Sequence, residues 1–218
     1  MSGSKVMTTI DSRGIATVTL NNPEKHNAFD DVTIVGLKKA FENISADDSV
    51  RVLVLASEGK NFSAGADLNW MKRMAAYSFD ENLVDADELA QMFKVLNFMP
   101  KPTIARVQGA VFGGAVGLVS CCDMAVASSK ASFCLSEVKI GLMPATISPY
   151  VIAAMGSRAA RRYFTTAERF SAETASRLGL VSEVVTEERL DATITTLIDG
   201  ILTNSPQAMR AAKELVFD

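Results

Sequence analysis

Short apolar strands alternate with helical stretches along this chain, and that rhythm confines it to α/β architectures with parallel strands. Val6–Ile10 and Ile15–Leu20 read as strands joined at Ser12-Arg13-Gly14, a hairpin signal. Asp30 or Asp31 then opens a helix on which Ile34, Leu37, Phe41 and Ile44 share one face. Arg51–Ala56 is apolar enough for a buried strand. Glu81–Phe98 reads as a long helix with Leu89, Met92, Phe93 and Leu96 inward, stopped by Pro100 and Pro102. Thr103–Val107 makes the next strand, Gly114–Cys121 a helix, and Met124–Ala127 another strand. The last third turns mainly helical. Ser148, Ser157, Ser171 and Ser205 are N-cap candidates there, two of them followed by proline, and Leu190–Leu202 is amphipathic.

Composition sets outer bounds. With 218 residues, 48% of them hydrophobic, the chain can bury a substantial core within one domain, residues 1–218. A net charge of −3 and the lack of a basic tract argue against a nucleic-acid surface. Met1–Lys5 lacks the apolar core of a signal peptide, and no apolar run reaches membrane-spanning length. Cys121, Cys122 and Cys134 have no metal or redox spacing; they read as buried thiols of a reducing, cytoplasmic setting.

The chemistry concentrates in two glycine-bearing turns, Ser63-Ala64-Gly65-Ala66-Asp67 and Gly113-Gly114-Ala115-Val116-Gly117. Each follows a strand and precedes a helix, the setting in which backbone N–H groups point outward at one spot. Glycine at 114 permits close backbone approach, and the helix starting there adds its positive end. Glu137 follows in Phe133-Cys134-Leu135-Ser136-Glu137-Val138-Lys139-Ile140-Gly141-Leu142. These stretches, with Asn22-Pro23-Glu24-Lys25-His26-Asn27-Ala28 and Thr166–Val181, occur in an order that resembles the crotonase (enoyl-CoA hydratase/isomerase) superfamily.

That resemblance implies a spiral of repeated ββα units over about residues 1–185 and a helical region over about 186–218, shorter than in family chains. It implies an acyl-CoA thioester as substrate, with CoA brought by the substrate and no cofactor or metal. Lys25 and Ala28 would meet the CoA, as would Ala64 and Gly65, with Asp67 and Leu68 beside them. The N–H groups of Ala66 and Gly114 would form the oxyanion hole. Two such donors on a thioester oxygen turning enolate are worth about 3 kcal/mol apiece. Glu137 would be the acid/base at the α-carbon. Gly113, Gly117, Pro144 and Ser148 would line the substrate path, with Phe62, Trp70, Met143 and Tyr150 as candidates for the acyl pocket. Arg106 and Lys139 are candidates to meet a distal carboxylate, and His26 reads as a surface residue of the CoA loop. A homotrimer or dimer of trimers completes the implied picture, with no nucleic-acid or membrane partner.

Two departures matter. Family hydratases usually carry a second glutamate where this chain has Gly117, and the next ionisable residue, Asp123, reads as structural. The alternatives are a hydratase with one glutamate, a Δ3-Δ2-enoyl-CoA isomerase using the same residue, or a CoA-binding scaffold without catalysis. The stretch Leu142-Met143-Pro144-Ala145-Thr146-Ile147-Ser148-Pro149-Tyr150 is similar to the branch acting on methylglutaconyl-CoA or isohexenylglutaconyl-CoA, which serves leucine and acyclic terpene degradation. It implies a branched or carboxylate-bearing enoyl-CoA.

Overall fold

Strands are followed, singly or in pairs, by helices that turn the chain back, so the polypeptide winds as a spiral. The computed structural model describes residues 4–217; Met1–Gly3, within the stretch read above for a signal peptide, and Asp218 lie outside the described residues. β1 (Val6–Ile10) and β2 (Ile15–Leu20) form an antiparallel hairpin around Gly14. The chain passes a short turn at Pro23–Lys25 and enters α1 (Asp31–Ala46), capped by the Asp30 carboxylate, which accepts from the Thr33 N–H. β3 (Val52–Ser57) returns parallel to β2 and leads to α2 (Leu68–Met74) and α3 (Phe79–Asn97). The third turn comprises β4 (Thr103–Val107), β5 (Ala110–Phe112) and α4 (Gly114–Cys121). β6 (Met124–Ser128) and β7 (Ser132–Cys134) open the fourth. The remainder holds α5 (Ser148–Met155), α6 (Ser157–Thr166), β8 (Phe170–Ser171), α7 (Ala172–Arg177), β9 (Glu183–Val185), α8 (Leu190–Leu202) and α9 (Pro206–Glu214).

The longer strands pair as one sheet in the order β1-β2-β3-β4-β6-β9, and the short ones form a second sheet, β5-β7-β8. Parallel bridges Phe29–Ala66 and Ser63–Val111 extend the second sheet back through the first two turns. β3 is buried along its whole length because both faces of the sheet are covered. Leu53 and Leu55 join the interior of the spiral, whereas Val52 and Val54 meet Ile104, Val126 and the α8 residues Leu190, Ile194, Ile198 and Ile201. Full burial of such a side chain contributes about 1.5–3 kcal/mol. This packing fixes where the short sheet and its turns lie. Among the described residues no helix is long and apolar enough to cross a membrane.

The fold differs from the sequence reading mostly at helix ends. α3 begins at Phe79, because Ser78 and Glu81 form a capping box. Ser205 and Ser171 cap as expected, accepting from Ala208 and Thr174 N–H. Ser148 and Ser157 do not: each is already the first helical residue, and the Ser148 hydroxyl instead donates to the Ala145 carbonyl. α2, β5, β7, β8 and β9 are too short for periodicity to reveal. Asp123 is structural: it accepts from the Thr103 N–H and hydroxyl at 2.8 and 3.0 Å and from Lys213 at 2.8 Å. All three cysteines are free thiols. Burial pushes each upward, Cys122 to about 12, so none is a nucleophile near neutrality.

Candidate active site

The two glycine turns meet because the short sheet draws them together. The Ser63 N–H donates to the Ala110 carbonyl and the Phe112 N–H to the Ser63 carbonyl, each at 3.0 Å. Gly65 has φ +90° and packs so tightly that a Cβ there would stand 2.9 Å from the Phe112 carbonyl oxygen. Within the first turn the Ala64 N–H is taken by the His26 carbonyl, Gly65 by the Ser63 hydroxyl and Asp67 by the Phe29 carbonyl. Ala66 alone in that run has no acceptor among the described residues. In the second turn the Gly113 N–H bonds the Cys134 carbonyl at 2.8 Å, and the Gly114 N–H, first of α4, has no acceptor among the described residues. Ala66 and Gly114 thus each present an unused donor, and both residues line the same cavity of about 220 Å³.

Glu137 lines the same cavity. It starts a short 3-10 turn, Glu137–Ile140, that follows β7. A Cβ on Gly113 would stand 3.3 Å from Glu137 Oε1, which puts the carboxyl group over the second glycine turn. Glu137 Oε2 is buried with no hydrogen-bond partner among the described residues, and burial raises its proton affinity, opposed only by its own backbone N–H. A partly dehydrated, unpartnered carboxyl beside two idle amide donors is equipped to move a proton at a carbon whose negative charge the donors hold.

The rest of the wall is largely apolar. Phe29, Met71, Met74, Leu89, Met143 and Ile147 contribute, and Pro144 lies among them. Gly117 does not line the cavity. A Cβ there would lie 2.9 Å from both Ile147 Cβ and Phe93 Cε1, so those side chains occupy the space a second carboxylate would need.

The enoyl-CoA hydratase/isomerase family model matches residues 11–217. The chain belongs to that family. An enoyl-CoA hydratase from Shewanella pealeana has a solved structure that superposes with TM-score 0.94 at 50% identity, over 97% of this chain and 79% of the other. The crotonyl-CoA hydratase of Syntrophomonas wolfei is 32% identical over 91% of this chain and 76% of its own. A trans-2-decenoyl-acyl-carrier-protein isomerase of Streptococcus mutans is 31% identical over 100% of this chain and 83% of its own. The protein is thus an enzyme of the enoyl-CoA hydratase/isomerase family, and the family fold accounts for the spiral and its helical C-terminal region.

Within this family frame the remaining expected residues fall into two groups. Ala64, Gly65 and Gly113 shape the turns, and Lys25 stands over the first of them, its ammonium 3.5 Å from Asp67. Asp67 itself caps α2, accepting from Asn69 and Trp70 N–H at 2.8 and 3.0 Å; these bonds hold its carboxyl below the usual range. Ala28 is half-buried in the loop before Phe29, and Leu68 is 70% exposed on the first residue of α2. Ser148 is not among the residues lining the cavity, and its hydroxyl donates to the Ala145 carbonyl. Of the pocket candidates, Trp70 and Met143 line the cavity, Phe62 is core, and Tyr150 packs against Phe93 at 6.0 Å. Arg106 is held by Asp191 at 2.6 Å and by Gln108 at 3.1 Å, away from the cavity.

Two residues escaped the sequence reading. Asn27, with φ +53°, is buried; its amide donates to the Glu58 and Asn61 carbonyls and its Oδ1 accepts from the Asn22 N–H. Asp85 lines the cavity from α3. Its signal was an acid on the helix face of Leu89 and Phe93, spaced four residues apart, where only apolar side chains belong.

Proposed function

We propose that this chain adds water to an α,β-unsaturated acyl-CoA thioester, with Glu137 as its single acid/base. The Ala66 and Gly114 N–H groups would hold the thioester oxygen as it gains charge. The observation that carries this reading is the unpartnered Glu137 carboxyl over a turn whose neighbouring amide is also unused. Lys25, Ala28, Ala64 and Gly65 are assigned to the CoA on the family resemblance, and they lie in and beside the first glycine turn. In this scheme Glu137 takes a proton from water at the β-carbon and returns it to the α-carbon. An apolar wall suits the branched acyl group of the sequence reading. A glutaconyl-type carboxylate is less well served, since the wall's ionisable residues are the acids Asp85 and Glu137 and no basic side chain lines it.

Isomerisation between Δ3 and Δ2 positions is the second reading. The packing of Ile147 and Phe93 against Gly117 favours it, because one base is enough to carry a proton between two carbons. Enoyl-thioester absorbance with 3-methylglutaconyl-CoA, crotonyl-CoA and a 3-enoyl-CoA separates the two. Hydration of a 2-enoyl thioester, falling about 1000-fold in Glu137→Gln, is the expected result. Migration of the 3-enoyl double bond without hydration would replace the hydratase with an isomerase. CoA binding with no turnover would leave a scaffold.

A further inference from the structure

The cavity holds a second polar feature that hydration by Glu137 does not use. Trp70 of α2 and Asp85 of α3 both line it. Trp70 is only 4% exposed, yet its indole N–H has no acceptor. Asp85 Oδ2 is likewise buried without a donor. The indole N–H is aimed at the carboxylate as a hydrogen-bond donor and favours its charged form, but at a geometry too open to satisfy either group fully. Burial and the nearby charge of Asp31, itself paired with Arg73 at 2.7 Å, push Asp85 the other way. A donor and an acceptor left unmet side by side in an otherwise apolar wall call for a ligand group that answers both.

Asp85 does not take the place of the missing second glutamate. It lies two helical turns before Phe93, whose ring touches Gly114 and Gly117. At 1.5 Å per residue that separation is about 12 Å along α3. On the acyl-CoA reading Asp85 therefore stands toward the part of the acyl chain remote from the thioester.

We propose that Trp70 and Asp85 form a notch that recognises a hydroxyl group on the distal part of the acyl chain. The hydroxyl oxygen accepts the indole N–H, and its proton is donated to Asp85 Oδ2. An ammonium group would satisfy Asp85 and leave the indole unmet. A carboxylate would meet the indole but oppose Asp85 with like charge, and an alkyl chain would satisfy neither. The notch deepens the acyl-CoA reading above and rests on it.

Trp70 is the chain's single tryptophan, so its fluorescence reports occupancy directly. The test titrates saturated, unreactive acyl-CoA thioesters from butanoyl to octanoyl, each with and without a terminal hydroxyl. At one chain length the hydroxylated member is expected to bind at least about tenfold more tightly. Asp85→Leu should reduce that preference to within about twofold; if it fails to fold, Asp85→Asn should reduce it in part. Calorimetry of Trp70→Phe should show the same loss. A wild-type preference below tenfold at every length, as a resident water in the notch would give, overturns the proposal. Because the probes do not react, a hydroxyl preference without hydration of the matching enoyl thioesters would retain the notch and sink only the hydratase reading. Failure of every acyl-CoA to bind would sink both.

Discussion

At the cavity Glu137 leaves a carboxyl oxygen buried and without a partner among the described residues; outside it, at Gly117, Ile147 and Phe93 fill all the room a side chain would have. Both places are where a proton-handling carboxylate could stand in this fold. One is under-satisfied and the other is packed as tightly as core. Natural proteins tolerate an unmet polar group mainly where function needs it, and close-packing marks positions held for stability. The difference teaches that the packing around Gly117 leaves no room for a carboxylate there, and that placing one is a packing problem before it is a chemical one.

The strongest way to break that comparison is Gly117→Glu. Overpacking against Ile147 and Phe93 adds to burial of an unpaired carboxylate, and the loss is expected to be about 5 kcal/mol or more. Denaturant titration would measure it, and a variant as stable as wild type would show that the wall is soft. Gly113→Ala probes the Glu137 side of the comparison. Its φ of +55° strains any side chain, and the new methyl meets Glu137 Oε1. A loss of about 2 kcal/mol and a roughly tenfold fall in hydration are expected together. Unchanged turnover in that variant would detach Glu137 from the chemistry.

The smallest effect is the most specific. Glu137 has its proton affinity raised in the folded chain, so its ionisation weakens the fold. That penalty is complete above the raised value and vanishes as pH falls to the ordinary 4.5. Glu137→Gln should therefore raise Tm at pH 7 by roughly 2–4 °C, the size of a 1 kcal/mol gain in a chain of this length. The gain should disappear in melts below the ordinary carboxylate value. A lower Tm at neutral pH would mean that the carboxylate is satisfied after all.

Much of this was legible in the sequence, and the misses share causes. β1, β2, α4 and α8 keep their anticipated bounds because β-branched runs and apolar periodicity act locally. Glu137 and both glycine turns were visible for the same reason: their roles depend on short segments. Gly117 was read as a substrate contact, since sequence shows a missing side chain without showing what fills the gap. Ser148 looked like a cap because Pro149 follows, yet the helix starts one residue earlier than that pattern suggests. Asp85 was lost in a helix that is polar on its other faces. Its surroundings depend on Trp70 of α2 beside it, and no local pattern encodes that meeting.

The Asn27 loop carries a mechanical consequence. Its amide is tied to residues Glu58 and Asn61, His26 receives the Ala64 N–H, and Lys25 reaches Asp67, so loop and first glycine turn are braced as one unit. Whatever grips the loop at its outer end thereby tensions the strand of backbone that presents the Ala66 amide. A handle far from the reacting bond can in this way set the alignment of a donor beside it, and a ligand trimmed of that handle would leave the unit slack.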